Sequence, residues 1–244
     1  SAGFIVSANK YGAAFGGLLA AIFIRRLSWR KSSYFLLSSL ILVDVISSRV
    51  PNAELLIYIR FFHGTIGGFL VGIGLSVIAR TSFPDRVFGM LMVVQYSFGS
   101  IGIFTVPRLV EIFGYEAVFF VLIGFSIMTL LIIPLIPDLK KKTSSLNTIG
   151  KLSLQLKILL GIALLSLFLF QSSNMGVADF AFELGKEINL SNNEISNLLT
   201  IANIISISGG VLAYLISTKF GRTLPLLFGF LIASVFTYLL NYSE

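Results

Sequence analysis

The chain has no cysteine, one histidine and one tryptophan among 244 residues. Without cysteine it has no disulfide framework, no thiol nucleophile and no thiolate metal site. The single histidine, His63, excludes His-rich metal sites and the H-E-x-x-H pattern of zinc proteases. No G-x-x-x-x-G-K-[ST] loop is present to cradle a nucleotide phosphate. No enzyme chemistry, cofactor or metal is therefore expected. Charge is scarce as well: Asp, Glu, Lys and Arg make up 12%, against about 25% in a soluble domain. Polar stretches are also short. The longest, Asp138 to Lys151, is a linker rather than a domain.

What the chain holds is apolar length. Hydrophobic residues make up 56%, and the mean hydropathy is +0.93. Ala117 to Pro137 and Ile158 to Ala178 contain no charge, and each has the roughly 20 residues a helix needs to cross a bilayer. Eight helical spans are expected, near 3–24, 32–50, 55–79, 87–107, 117–137, 157–180, 192–217 and 223–241. The runs are continuous, whereas barrel strands would alternate. The fold class is all-α, polytopic and membrane-embedded. Pro84, Pro107 and Pro137 fall at expected span ends, where a missing N–H costs least. Ser191 and Glu194 have capping-box spacing ahead of an apolar run.

The net charge of +7 is unevenly placed. One set of alternate loops carries Arg25, Arg26, Arg30, Lys31, Arg80, Arg86, Lys140, Lys141, Lys142, Lys151, Lys157, Lys219 and Arg222. The other carries only Arg49, Arg108 and Lys186, with Glu54, Glu111, Glu116, Glu183, Glu187 and Glu194. The basic set is expected to be cytoplasmic. The excess thus reads as a topology signal with contact to anionic lipid, not as a nucleic-acid surface. The lipid bilayer is the expected surroundings, a bacterial inner (plasma) membrane the expected location, and a monomer the expected state.

One pattern occurs twice, 193 positions apart. The first copy starts at Gly17 and ends in Arg25, Arg26 and Arg30; the second starts at Gly210 and ends in Lys219, Gly221 and Arg222. Each runs from a Gly-Gly pair through an apolar helix end into a basic turn. A repeat of this size in a membrane chain points to two related halves.

These residues resemble the major facilitator superfamily, whose G-x8-D-R-x-G-R-[RK] turn joins helices two and three and recurs between helices eight and nine. Gly17, Arg26 and Arg30 match one copy; Gly210, Lys219, Gly221 and Arg222 match the other. The acidic position is Arg25 in one copy and Thr218 in the other, and the turn glycine is Ser28 in the first. Arg60 to Gly64 resembles the family's R-x-x-x-G in helix four, and Phe113 to Phe119 its F-G-W-R-x-x-F at helix six. The antiporter G-P-x-x-G-G is not matched, since only Gly102 of Gly102 to Pro107 fits. The resemblance implies a helical bundle with two pseudo-symmetric halves, here truncated to helices two to nine of twelve. Residues 1–137 would be the first half, 138–156 a cytoplasmic linker and 157–244 the truncated second half.

A charge inside a span is costly and reads as functional by default. Lys10 either lines a cavity or snorkels to the interface; its repeat partner is Asn203. Arg60 and His63 share a helix face. The resemblance implies that this helix lines the central path; the alternative is that Arg60 pairs with Asp44 or Glu54. Gly12, Gly16, Gly64, Gly68 and Gly72 recur at four-residue spacing, which suits close helix approach. Gln171 to Asn174 is a polar patch on the span that resembles helix seven, a usual substrate-binding element. Asp179, one turn before Glu183, is the candidate for proton coupling if it is buried; the alternative is a hydrated helix end. Gln95 and Tyr96 read equally as polar contacts or as core packing, and Trp29 is expected to anchor at an interface.

The function expected is secondary transport by alternating access. The solute would be a small organic molecule, anionic if Lys10, Arg60 and His63 make the cavity positive. Proton-coupled efflux of amphipathic compounds and a non-transporting scaffold or receptor are the alternatives.

Overall fold

The computed structural model describes residues 2–24, 26–137, 153–216 and 223–240. The described residues form helices and no strand. In chain order these are α1 (Ala2–Phe23), α2 (Trp29–Ser47), α3 (Ala53–Ile78), α4 (Pro84–Phe113), α5 (Glu116–Ile132), α6 (Leu154–Glu187), α7 (Asn192–Ile216) and α8 (Thr223–Leu240). A short 3₁₀ turn, Ile133–Leu135, extends α5. Six of them, α1 and α3 to α7, are long and apolar enough to cross a membrane. The apolar part of α8, Leu224–Leu239, is shorter. In α2 the apolar positions are interrupted by serines and Asp44.

Local chemistry sets the helix starts. The Asn52 carboxamide oxygen accepts from the N–H groups of Glu54 and Leu55, at 2.8 and 3.4 Å. Pro84 opens α4, where its missing N–H has no partner to lose. At α7 the Ser191 N–H donates to the Glu194 carboxylate at 2.8 Å, and the Glu194 N–H donates back to the Ser191 hydroxyl at 3.3 Å. That reciprocal pair satisfies two donors that a helix start leaves open. Between α4 and α5, Gly114 has φ +78° and ψ −178°. Only glycine tolerates this backbone, so this corner of Phe113 to Phe119 is fixed by residue type.

Two boundaries differ from the sequence expectation. The span expected to end at Pro107 continues to Phe113, with Pro107 inside α4. The carbonyl that Pro107 leaves free finds another donor, described below. The span expected to end near 180 continues to Glu187 in α6, where the Ile188 N–H closes on the Leu184 carbonyl.

α2 has a buried stripe of Trp29, Ser33, Leu37, Leu40, Asp44 and Ser47, spaced three or four apart on one face. It packs against α3 and α5. The core there joins Trp29, Leu37, Leu40, Ile73 and Ile133. Trp29, expected as an interfacial anchor, is only 7% exposed and points into this core. Elsewhere large apolar side chains such as Phe4, Phe35, Leu131 and Leu165 face outward. A surface this apolar suits lipid, not water.

Candidate functional site

The site begins with glycine. α1 and α3 run parallel and touch backbone to backbone. A Cβ built at Gly12 would fall on the Phe61 carbonyl oxygen, and one at Gly16 on that of Thr65. From the other side, Gly64 meets the Asn9 carbonyl and Gly68 that of Ala13. No larger residue fits without separating the helices. This close approach brings Asn9 of α1 against His63 of α3.

The Asn9 amide nitrogen donates to His63 Nδ1 at 2.9 Å. That nitrogen can only donate, so Nδ1 is the acceptor in this pair. Nε2 in turn faces Asp44 Oδ1 of α2 at 3.3 Å. Arg60 Nη1 donates to the same oxygen at 3.5 Å. The Arg60 guanidinium also lies over the Phe119 ring of α5, 4.7 Å from its centroid. Four helices thus meet at one charge cluster. Asp44 is 1% exposed and Arg60 9%. Asp44 Oδ2 accepts no hydrogen bond from the described residues. Beside the cluster lies a cleft of about 440 Å³. Asn9 and His63 form its polar end, and Gly17, Gly67 and Gly72 are among its walls.

The two resemblance motifs are therefore in contact: Arg60 of one stacks on Phe119 of the other. Sequence reasoning named Asp44 only as an alternative partner for Arg60, and missed Asn9. The signal for Asp44 was its place on the stripe of Ser33, Leu37 and Leu40. An acid on a buried face requires a cation, and Arg60 is that cation.

The other expected residues are dispersed. Lys10, Gln95 and Gln171 are exposed, on α1, α4 and α6. Asn203 of α7 is half-buried, with its amide nitrogen facing Gly99 of α4. Asn174 and Asp179 lie on α6, and their side chains are outside the described residues. Of the repeated motif, Gly17 borders the cleft and Arg26 is exposed. Arg30 donates to the Ile136 carbonyl at 2.6 Å, tying the start of α2 to the end of the α5 segment. Gly210 packs on the Val93 N–H, 2.9 Å from a built Cβ. Arg25, Lys219, Gly221 and Arg222 lie outside the described residues. Among the described residues no group of three or more His, Asp or Glu could hold a metal.

A second seam joins α4 to α7, antiparallel. Gly89 meets Tyr214 at one end, Gly210 meets Val93 further along and Gly99 meets Asn203 near the middle. Polar bonds close the other end. Arg108 donates to Asn197 at 2.9 Å, and Asn193 to Glu111 at 3.3 Å. The Ser196 hydroxyl donates to the Ile103 carbonyl. Ile103 is four residues before Pro107, so its carbonyl lacks the usual helical donor. A neighbouring helix supplies the replacement, as membrane helices with internal proline require.

Helices with lipid-compatible faces around buried charge define a multi-pass integral membrane protein. The chain belongs to the Major Facilitator Superfamily, whose model matches residues 1–243. Neither a curated protein nor a solved structure matches the chain. Members of this family are membrane transporters, and solute transport across the membrane is the function that membership carries.

Proposed function

We propose that the chain takes part in secondary active transport of a small organic solute, and that the cleft beside Asn9 and His63 is part of the solute path. The observation that carries this reading is the buried cluster of Asp44, Arg60 and His63, within the span yet bordering a cleft. His63 lies ten residues into α3, about 15 Å along the helix. A charge cluster at that depth is costly even when paired, and charged residues there mark solute or ion paths by default.

In this reading residues 1–137 and 157–244 belong to two halves that rock about the site, and the 138–156 linker lies in the cytoplasm of a bacterium. Lys10, Gln95, Gln171, Asn174 and Asn203 are polar positions along the path. A preference for anions is read from the three basic side chains Lys10, Arg60 and His63, of which Arg60 is balanced by Asp44.

The test is thermal unfolding of the purified full chain with short mono- and dicarboxylates and their neutral amides. A solute held at one hundred times its Kd stabilises a fold by about 2.7 kcal/mol. Carboxylates should raise Tm by several degrees, amides should not, and Asn9→Leu should abolish the shift. Equal stabilisation by both classes removes the anion preference. A shift that survives Asn9→Leu removes the site.

A further inference from the structure

We infer that the turn between α1 and α2 carries a binding site for an anionic phospholipid, with Arg26 and Lys31 on its phosphate and Phe35 and Phe69 along an acyl chain. The inference goes beyond the transport reading and needs only that the helices span a bilayer. The stretch Ile24 to Ser32 holds four basic residues, Arg25, Arg26, Arg30 and Lys31, and no acidic one. The structure separates three of them. Arg30 is committed to the fold: it donates to the Ile136 carbonyl at 2.6 Å and lies over the Trp29 ring, 5.2 Å from its centroid. Arg26 and Lys31 are exposed and line a cleft of about 540 Å³ together with Ser28 and Ser32. No carboxylate lines that cleft, and among the described residues neither cation has an ion pair. The Ser28 hydroxyl makes no capping bond to α2, which leaves it to donate to a phosphate oxygen.

The cleft changes character along α2. Its basic and hydroxyl groups lie at the helix start. Phe35 is one turn beyond Lys31 on the same face, about 9 Å from that start. Phe69 enters the cleft from α3, about 14 Å from the end of its own helix. Both rings are thus at hydrocarbon depth when the basic turn sits at the membrane surface. Phe35 is 72% exposed, so only lipid covers it, while Phe69 packs on the core that includes Trp29. A soluble anion would use the charged end and leave the aromatic walls bare. A zwitterionic lipid would fill the walls but bring its own cation up to Arg26 and Lys31. An anionic phospholipid matches both ends, and each basic side chain near such headgroups strengthens binding about fivefold.

Trp29 is the only tryptophan. It follows Ser28 and belongs to the core on which Leu36 and Phe69 pack, so its fluorescence reports this cleft. The full chain is placed in phosphatidylcholine bilayers, and phosphatidylglycerol or phosphatidylcholine with brominated chains, which quench indole on contact, is added in steps. The glycerol lipid should half-quench Trp29 at a mole fraction about twentyfold lower than the choline lipid, the product of two basic side chains. Arg26→Gln and Lys31→Gln should each reduce that preference about fivefold, and the double variant should remove it. Arg80→Gln takes the same charge from the end of α3, outside the cleft, and should leave the preference in place. Equal quenching by the two lipids overturns the inference, and this comparison needs no variant to fold. A preference that survives the double variant, or falls as far with Arg80→Gln, also overturns it, because the charge of the whole face would then suffice. Millimolar glycerol phosphate should not relieve the quenching; relief would assign the cleft to a soluble anion instead.

Discussion

The two long seams of the molecule are built from the same small residue in opposite ways. Between α1 and α3 the helices run parallel and glycines on both sides sit against backbone carbonyls. Between α4 and α7 they run antiparallel, glycines alternate between the helices, and polar side chains bond across one end. The repeated Gly-Gly pair shows the difference directly. In the first copy Gly16 is the packed member, and Gly17 has open space around it. In the second copy Gly210 is packed, and Gly209 has open space. A repeat in sequence has kept the pair while the fold uses different members, because the partner helix approaches from a different side. The first seam has no slack, and separating it would break the cluster at Asn9 and His63. The second is fastened by side-chain bonds at one end.

The largest effect should come from breaking the first seam. Gly64→Leu drives a side chain into the Asn9 carbonyl; overpacking costs about 1–3 kcal/mol even where side chains can yield, and a backbone cannot. The expected outcome is loss of the monodisperse folded peak in size-exclusion chromatography. A variant that elutes normally would show that α1 and α3 can stand further apart.

Next is the cluster that this seam supports. Asp44→Ala leaves Arg60 buried without its carboxylate and should cost about 3–5 kcal/mol in denaturant unfolding. Replacing both residues, Asp44→Leu with Arg60→Met, should recover most of that loss. If the double variant is as unstable as the single one, the pair is not the unit described.

The second seam should be more forgiving. Ser196→Ala leaves the Ile103 carbonyl without its donor and should cost about 1–3 kcal/mol. Arg108→Ala and Asn197→Ala should each cost about 1 kcal/mol and be non-additive in a double-mutant cycle. Additive losses would mean that the bond at that end contributes nothing.

The smallest effect is the control for the whole comparison. Gly17→Ala meets no atom within 4 Å and should change stability by less than about 1 kcal/mol, with any gain coming from helix propensity. A loss comparable to that of Gly64→Leu would erase the distinction between the paired glycines.

Much of this was legible in advance. The helices and the close glycine approach follow from composition and spacing, which act locally. So does the Ser191–Glu194 cap. What escaped was non-local. Lys10 drew attention by its charge, while its neighbour Asn9 makes the contact with His63. Pro107 reads as a helix end when only its own segment is considered. It is internal because Ser196, far along the chain, answers the carbonyl it frees. Trp29 reads as an anchor by residue type, but it sits on the buried stripe of α2. In each case the deciding partner lies on another helix, which no local pattern encodes.

The hydroxyl at position 196 and the ring at position 107 are in effect one specification written in two places. A hydroxyl opposite a self-sufficient helix has no work to do, and a proline opposite an alanine leaves an acceptor stranded in an apolar medium. Substitutions at the two positions should therefore be tolerated together more readily than apart. Random drift through this seam would pass along a narrow corridor, in which Pro107→Ala relieves the demand on Ser196 before Ser196 itself can change. The bond between α4 and α7 is thus a constraint on the chain's future as well as on its shape.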